Sequence, residues 1–333
     1  MLDVSRPVTE VSVVQAVNLA LKRAMADDSR VLVLGEDVGI DGGVFRATDG
    51  LFTLHGADRV LDTPLAEAGI VGVSIGLAVQ GFRPVAEIQF TGFAYACIDQ
   101  LLNHASRMRA RTRGRLSCPL VLRSPAGGGI KAIEHHSESP EAIFAHIPGL
   151  KVVIPSSPRR AYGLLLSAIR DPDPVVFLEP TRLYRAMREE VADDGAELAL
   201  ERCFVLRSGR DVTLVSWGAM IKDALEAAEQ LAAENIEADV IDVATLKPLD
   251  SATVIESVTR TGRLVIIHEA PITCGYGAEI AARVASRALT SLLAPIERVA
   301  GYDTMMPYPR TEAFYMPSAE RIVAAVRRAM AYA

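Results

Sequence analysis

Residues 62–103 read DTPLAEAGIVGVSIGLAVQGFRPVAEIQFTGFAYACIDQLLN: a helix, a strand and a second helix in immediate succession. Asp62 or Thr63 suits a helix cap, and Pro64, with fixed φ and no N–H, suits the first helical position. Glu67 then falls in the first turn, where the helix dipole favours an ionised carboxylate by roughly 0.3–1 kcal/mol. The following turns hold small and aliphatic residues, including Gly69, Gly72 and Gly76. Each glycine costs a helix about 1 kcal/mol relative to alanine. Three at spacings of three and four are best explained by another backbone packing close along that face. The helix stops at Gly81 and PVAEIQF continues as a strand.

Outward from this stretch, helical and extended patterns alternate. Upstream, VTEVSVVQAVNLALKRAMADD has helical spacing with Thr9 as cap, RVLVLGED is a short strand, GIDGGVFRATDG a glycine loop, and RVLD a second strand. Downstream, TGFAYACIDQLLNHASRMRARTRG reads as one amphipathic helix. PLVLRS is a strand, PAGGGIKAIEHHSES a long loop, and PEAIFAH a short helix. LKVVIPS, a helix from Pro158 to Arg170, and PVVFLEP complete the first unit. This succession predicts a mostly parallel sheet covered by helices. Residues 180–200 carry charge without strand pattern and read as a linker. The alternation restarts at DVTLVSWG and ends in a helix over residues 318–331. The expectation is an α/β fold of two domains, residues 1–185 and 203–333, joined by a linker over 186–202.

Composition sets the outer limits. A chain of 333 residues, half of them hydrophobic, supports two large cores. A net charge of −6 speaks against a nucleic-acid partner, which requires a basic face. The longest uncharged apolar run, residues 68–79, is too short to cross a bilayer, and no basic, apolar signal opens the chain. The four cysteines lie far apart without a CxxC pair, so neither a disulfide frame nor a zinc site is expected, and a reducing cytoplasm fits.

The polar residues suited to chemistry cluster at the C-terminal ends of the first unit's strands, where open α/β sheets place ligands. Glu36 and Asp37 follow VLVLG; Glu67 follows the strand ending at Asp62. Gln89 and Phe93 follow AEI, and His135 and His136 lie in the loop after PLVLRS. Taken singly, each of these fits a cap or a solvated loop side chain; their common edge is what points to a site. Other motifs are set aside. Gly127–Gly129 has no GxxxxGK[ST] and no strand–GxGxxG–helix context, and reads as a flexible loop. Glu134, His135, His136 and Glu138 lack HExxH spacing, and neither Ser124 nor Ser216 sits in a GxSxG elbow. His55, His104, His146 and His268 read as structural, and Arg107 to Arg115 as a solvated end or an interface.

The runs VLVLGEDVGIDGGVFRATDGL, DTPLAEAGIVGVSIGLAVQGFRPVAEIQF, EHHSESPEA, GLKVVIPSSP, DPDPVVFLEP, DVTLVSWG and HEAPITCGYGAEIA span nearly the whole chain. Together they resemble the beta chain of the thiamine-diphosphate-dependent decarboxylating component of 2-oxo acid dehydrogenase complexes. The resemblance implies a pyrimidine-binding domain followed by a transketolase-type C-terminal domain, in an assembly of two alpha and two beta chains. By this resemblance Glu67 bonds the pyrimidine nitrogen across the ring from the amino group, and Leu65, Gln89 and Phe93 are pyrimidine-side contacts. Phe93 stands where some relatives carry tyrosine, so a hydroxyl hydrogen bond is lost there. Glu36 matches an acid in the passage between the two cofactors, and His136 an acid toward the dithiolane of a lipoyl-bearing acyltransferase. The resemblance also implies a potassium site on oxygens of Cys118, Leu120, Val121, Ala168, Asp171 and Asp173. Magnesium and the diphosphate would be held by the alpha chain, since this sequence has no GDG. EHHSE, HEAP and GYDT resemble branched-chain 2-oxo acid enzymes; pyruvate and acetoin stay open as substrates. A non-catalytic scaffold subunit is the reading from another class.

Overall fold

The structure, a computed structural model, describes residues 8–332. Its chain falls into two compact units: residues up to Ala126 with Ile143–Leu200, and Gly127–Ala142 with residues from Glu201 onward. In chain order the elements up to residue 200 are β1 (Val8–Ser12), α1 (Val13–Asp27), β2 (Val31–Gly35), α2 (Leu51–His55), β3 (Val60–Asp62), α3 (Glu67–Val79) and β4 (Arg83–Glu87). They continue with α4 (Ile98–Asn103), α5 (Met108–Arg111), β5 (Val121–Ala126), α6 (Glu141–His146), β6 (Lys151–Val153), α7 (Pro158–Arg170), β7 (Val175–Pro180) and β8 (Arg188–Ala192). Beyond residue 200 lie β9 (Phe204–Arg207), β10 (Val212–Ser216), α8 (Met220–Ala232), β11 (Ala238–Asp242), β12 (Thr245–Lys247) and α9 (Ser251–Thr261). The chain ends with β13 (Leu264–Pro271), α10 (Gly277–Ala288), β14 (Glu297–Gly301), α11 (Glu312–Tyr315) and α12 (Ala319–Met330).

In the first unit the strands run in the order β6-β7-β5-β4-β2-β3, every neighbouring pair parallel. The central strands are buried along their whole length (Val31–Gly35, Val121–Ala126, Val175–Pro180), as expected of a sheet covered on both faces. Helix α7 is capped by Ser157, whose hydroxyl accepts the Arg160 N–H at 3.4 Å, with Pro158 in its first turn. In the second unit the order is β14-β13-β10-β11-β9, parallel except for the β11/β9 pair. Its core joins Val240, Val265 and Ile267 of the sheet to Ala224, Ala228 and Leu231 of α8 and Ile322 and Val326 of α12. A two-domain α/β architecture with mostly parallel sheets is therefore what the chain adopts.

Four local expectations are corrected. Residues 8–12 form a strand rather than the start of α1, because they pair antiparallel with β8, Val8 opposite Ala192 through Ser12 opposite Arg188. The helix begins only at Val13, with the Gln15 side chain accepting the Ser12 N–H at 3.0 Å, so Thr9 caps nothing. The same pairing gives residues 188–192 a strand inside the segment read as patternless linker. Residues 91–111 are not one helix but two 3-10 stretches alternating with the short α4 and α5. The Thr91 hydroxyl, bound to the Pro125 carbonyl at the end of β5, draws the first turn tight. Lastly, α3 starts at Glu67 and not at Pro64. Asp62 is the last residue of β3, and its carboxylate accepts the Gly39 N–H at 2.6 Å, which removes it as a helix cap.

Candidate active site

The carboxyl ends of β2, β3 and β4 gather most of the residues singled out from the sequence. Glu36 follows β2 directly and is 8% exposed, and its Oε1 has no hydrogen-bond partner among the described residues. Burial raises its pKa above the ordinary carboxylate value, and the negative charges of Glu67 and Asp37 raise it further. Glu67 is half-buried at the first position of α3, where unpaired helical N–H groups favour an anion. Asp37, held at φ +58°, accepts the Gln89 Nε2–H at 2.9 Å and so fixes that amide at the end of β4. Phe93 packs edge-on against Phe90 at 5.9 Å between centroids, and Phe90 against Phe45 at 5.5 Å. Leu65 is 80% exposed beside Glu67, and the Thr63 hydroxyl is buried with no partner among the described residues. Three carboxyls, an oriented amide, an aromatic surface and an exposed aliphatic side chain thus share one sheet edge. Two of its buried polar atoms lack a hydrogen-bond partner among the described residues. Such a donor and acceptor set fits a flat heteroaromatic ring with several nitrogens.

Beneath this edge lies an ion network that the motif reading passed over. The Arg123 guanidinium of β5 donates to Glu179 of β7 at 2.6 and 2.9 Å and to Glu87 of β4 at 2.7 Å. The Tyr184 hydroxyl adds a bond to Glu179 at 2.6 Å. All four side chains are buried; Glu87 is raised by burial, and Arg123 is held charged by its two carboxylates despite burial. A usable signal was present. AEIQF, VLRS and VFLEP each carry one charged residue inside an apolar strand, and a buried charge on one strand requires a partner on its neighbour.

His136 belongs to the second unit, on a 3-10 turn over Glu134–Ser137. Its Nδ1 lies 3.0 Å from the Ile133 carbonyl. A carbonyl only accepts, so Nδ1 carries the hydrogen of that contact. The glycine loop before it is no phosphate cradle. The Gly127 N–H donates to the Glu138 carbonyl at 2.8 Å, and the Gly128 and Gly129 N–H groups donate to the carboxylates of Glu269 and Glu312. A loop expected to be flexible is tied down by three backbone hydrogen bonds.

The six residues of the implied potassium site behave differently. The Asp171 carboxylate binds Lys151 and the Asp173 N–H, and Asp173 binds Arg109 Nε at 2.7 Å. The Leu120 carbonyl accepts the Val175 N–H at 2.9 Å and the Asp171 carbonyl accepts Arg83 at 3.2 Å. Lys151, Arg109 and Arg83 thus share the Asp171 and Asp173 oxygens of this segment.

Family models match both halves of the chain: the transketolase pyrimidine binding domain over residues 9–187 and the transketolase C-terminal domain over residues 202–322. A Bacillus subtilis (strain 168) protein named pyruvate dehydrogenase E1 component subunit beta is 45% identical over 323 residues, 97% of this chain and 99% of that one. Its namesake from Leifsonia xyli subsp. xyli is 48% identical over 325 residues, 98% of this chain and 96% of that one. The chain belongs to the E1 beta-subunit family of 2-oxo acid dehydrogenases. This E1 beta chain is also similar, with a TM-score of 0.78 and 25% identity, to a solved structure titled split gene transketolase, inactive beta4 tetramer. That alignment covers 97% of this chain and 99% of the other. Thiamine diphosphate is the cofactor consistent with this membership.

Proposed function

We propose that this E1 beta chain forms one half of a thiamine-diphosphate-dependent site that decarboxylates a 2-oxo acid and delivers the acyl group to a lipoyl-bearing acyltransferase. The observation that carries the reading is the carboxyl pair at the sheet edge: Glu67 at the first residue of α3, beside a buried Glu36 with one oxygen that has no partner among the described residues. An unsatisfied buried polar atom costs about 1–3 kcal/mol, which a bound polar ring would offset. Thiamine diphosphate supplies, when bound, the electron sink that lets the carboxylate of a 2-oxo acid leave as carbon dioxide. Glu67 holds a proton at the pyrimidine nitrogen opposite the amino group. Leu65 and Phe93 present apolar surface to that ring, and Gln89 an oriented amide. Glu36, its pKa raised chiefly by burial, lies further along the same edge as an acid of the passage between the two cofactors. His136, with Nδ1–H directed at the Ile133 carbonyl, would act as an acid toward a dithiolane sulfur only as the imidazolium, which carries a second proton on Nε2.

The rest of the site comes from elsewhere. With no GDG in the sequence, magnesium and the diphosphate fall to an alpha chain, in an assembly of two alpha and two beta chains. The four cysteines are free thiols, which supports a reducing cytoplasm. Pyruvate is the substrate supported by the names of the relatives at 45–48% identity. The runs EHHSE, HEAP and GYDT support branched-chain 2-oxo acids, with acetoin a third choice. The ratio of kcat/KM for pyruvate and 2-oxoisovalerate, measured with the alpha chain present, decides between the first two.

Glu67→Gln tests the core of the proposal. In the reconstituted assembly it should cost about 10²–10⁴-fold in decarboxylation, the range of positioned acid–base catalysis, while the subunits still associate. Wild-type turnover by that variant would remove Glu67 from the mechanism and return the chain to the scaffold reading.

A further inference from the structure

In the loop from Gly127 to Ser139 four residues have positive φ, which glycine adopts readily but two side-chain-bearing residues do not. Gly127 and Gly129 lie at φ +85° and +83°, and Lys131 and Glu134 at +60° and +52°, a region that side-chain-bearing residues rarely adopt. Two buried carboxylates from distant elements hold it there. Glu269 on β13 accepts the Gly128 N–H and the Ser139 hydroxyl (3.1 Å) on one oxygen. Glu312, the first residue of α11, accepts the Gly129 and Lys131 N–H groups on one oxygen. Glu269 is 8% and Glu312 5% exposed. The fit is close: a Cβ on Gly127 would stand 3.0 Å from Glu269 Oε1, and one on Gly128 would collide with the Met306 methyl. The Ser137 hydroxyl closes the turn on the Ala132 carbonyl at 2.7 Å, directly beside His136.

We propose that Glu269 and Glu312 are positioning residues that set the pose of His136 for acyl transfer, an inference that rests on the role proposed above for that histidine. A carboxylate is suited to this because it accepts two N–H or O–H bonds at once and strengthens each by its charge. A strained loop returns to ordinary φ values once the acceptors go, and His136 then samples poses away from the reacting sulfur. The transfer step is the one that suffers, because the Glu67 carboxylate is carried by a different element, α3.

The test uses the reconstituted alpha–beta assembly carrying Glu312→Ala, with Glu312→Gln as the variant that keeps an acceptor oxygen. Three quantities are read: amide hydrogen exchange along residues 127–140, decarboxylation with an artificial electron acceptor, and reductive acylation of a lipoyl domain. In Glu312→Ala, exchange at Gly129 and Lys131 should rise about tenfold while β10 and β13 stay protected. The ratio of acylation to decarboxylation should fall by about the same factor, and Glu312→Gln should recover most of both. Wild-type loop exchange together with a wild-type ratio would overturn the proposal. So would both rates falling in parallel with lost protection in β10 and β13, the mark of a merely structural role. Should the alanine variant fail to assemble, Ser139→Ala, which removes only one bond to Glu269, is read in the same way with a smaller change of the same sign. His136→Ala separates the two layers. An unchanged ratio there removes the role of His136 itself, whereas a lowered ratio there with none in Glu312→Ala removes only the positioning.

Discussion

Glu36 and Glu141 show how a single buried carboxyl ties chemistry to stability. Burial, then the charges of Glu67 and Asp37, raise the pKa of Glu36, so it keeps its proton to a higher pH than an exposed carboxyl does. Glu141 is pushed up to about 8, chiefly by burial; the charge of Glu269 adds to this, while a backbone bond and the 3.3 Å bond from Trp217 Nε1 oppose it. A carboxyl whose folded pKa lies above its unfolded value keeps its proton longer in the folded state. Its favourable contribution is complete below the unfolded pKa and is lost as pH rises toward about 8. Glu141→Gln keeps an oxygen for Trp217 and cannot ionise. Its Tm should match wild type near pH 5 and exceed it by a few degrees at pH 8.5. Thermal unfolding curves of the two proteins that stay parallel across this pH range would show that Glu141 does not titrate as described. His268, by contrast, is fully buried, stacked on Trp217 at 5.4 Å and lowered to about 4 by burial, so it stays neutral and packs, as its lack of sequence partners suggested.

Among the elements, α3 and the central strands carry the argument. The three glycines of α3 were expected to admit a close backbone, yet among the described residues nothing approaches them closely. A Cβ on Gly76 would meet nothing within 4 Å, and those on Gly69 and Gly72 would meet only ordinary neighbours at 3.6 Å. Val73, on the same face, is 59% exposed. The face is therefore open beside Glu67, as an interface for a second chain requires. Beneath it, the strands β4, β5 and β7 are cross-linked by Glu87, Arg123 and Glu179. Removing the cation leaves two buried carboxylates uncompensated, so Arg123→Leu should lower stability by about 3–5 kcal/mol in denaturant titration. Replacing all three by apolar residues of similar volume should recover most of that loss, because the desolvation cost leaves with the charges. A single variant as stable as wild type would mean that the network holds nothing together.

For the whole molecule, the prediction is that this chain alone, given thiamine diphosphate, magnesium and a 2-oxo acid, shows no decarboxylation above background until an alpha chain is added. Substantial turnover by the isolated polypeptide would overturn the two-chain site. What the sequence determined was everything encoded in local periodicity and local chemistry. That includes the alternation of strands and helices, the near-exact limits of α7 and α12, and the acids, amide and aromatic placed after β2, β3 and β4. Strand alternation, helical spacing, Pro and Gly act over a few residues, and such signals survive without knowledge of the fold. Only the tertiary structure decided which distant residues meet. Arg123 and Glu179 are 56 positions apart, Gly128 and Glu269 141, and Gly129 and Glu312 183. The strand at residues 8–12 likewise exists because residues 188–192 lie beside it. Partners so far apart leave no periodic trace in the chain, since it is burial, which excludes water as an alternative partner, that makes those pairings obligatory.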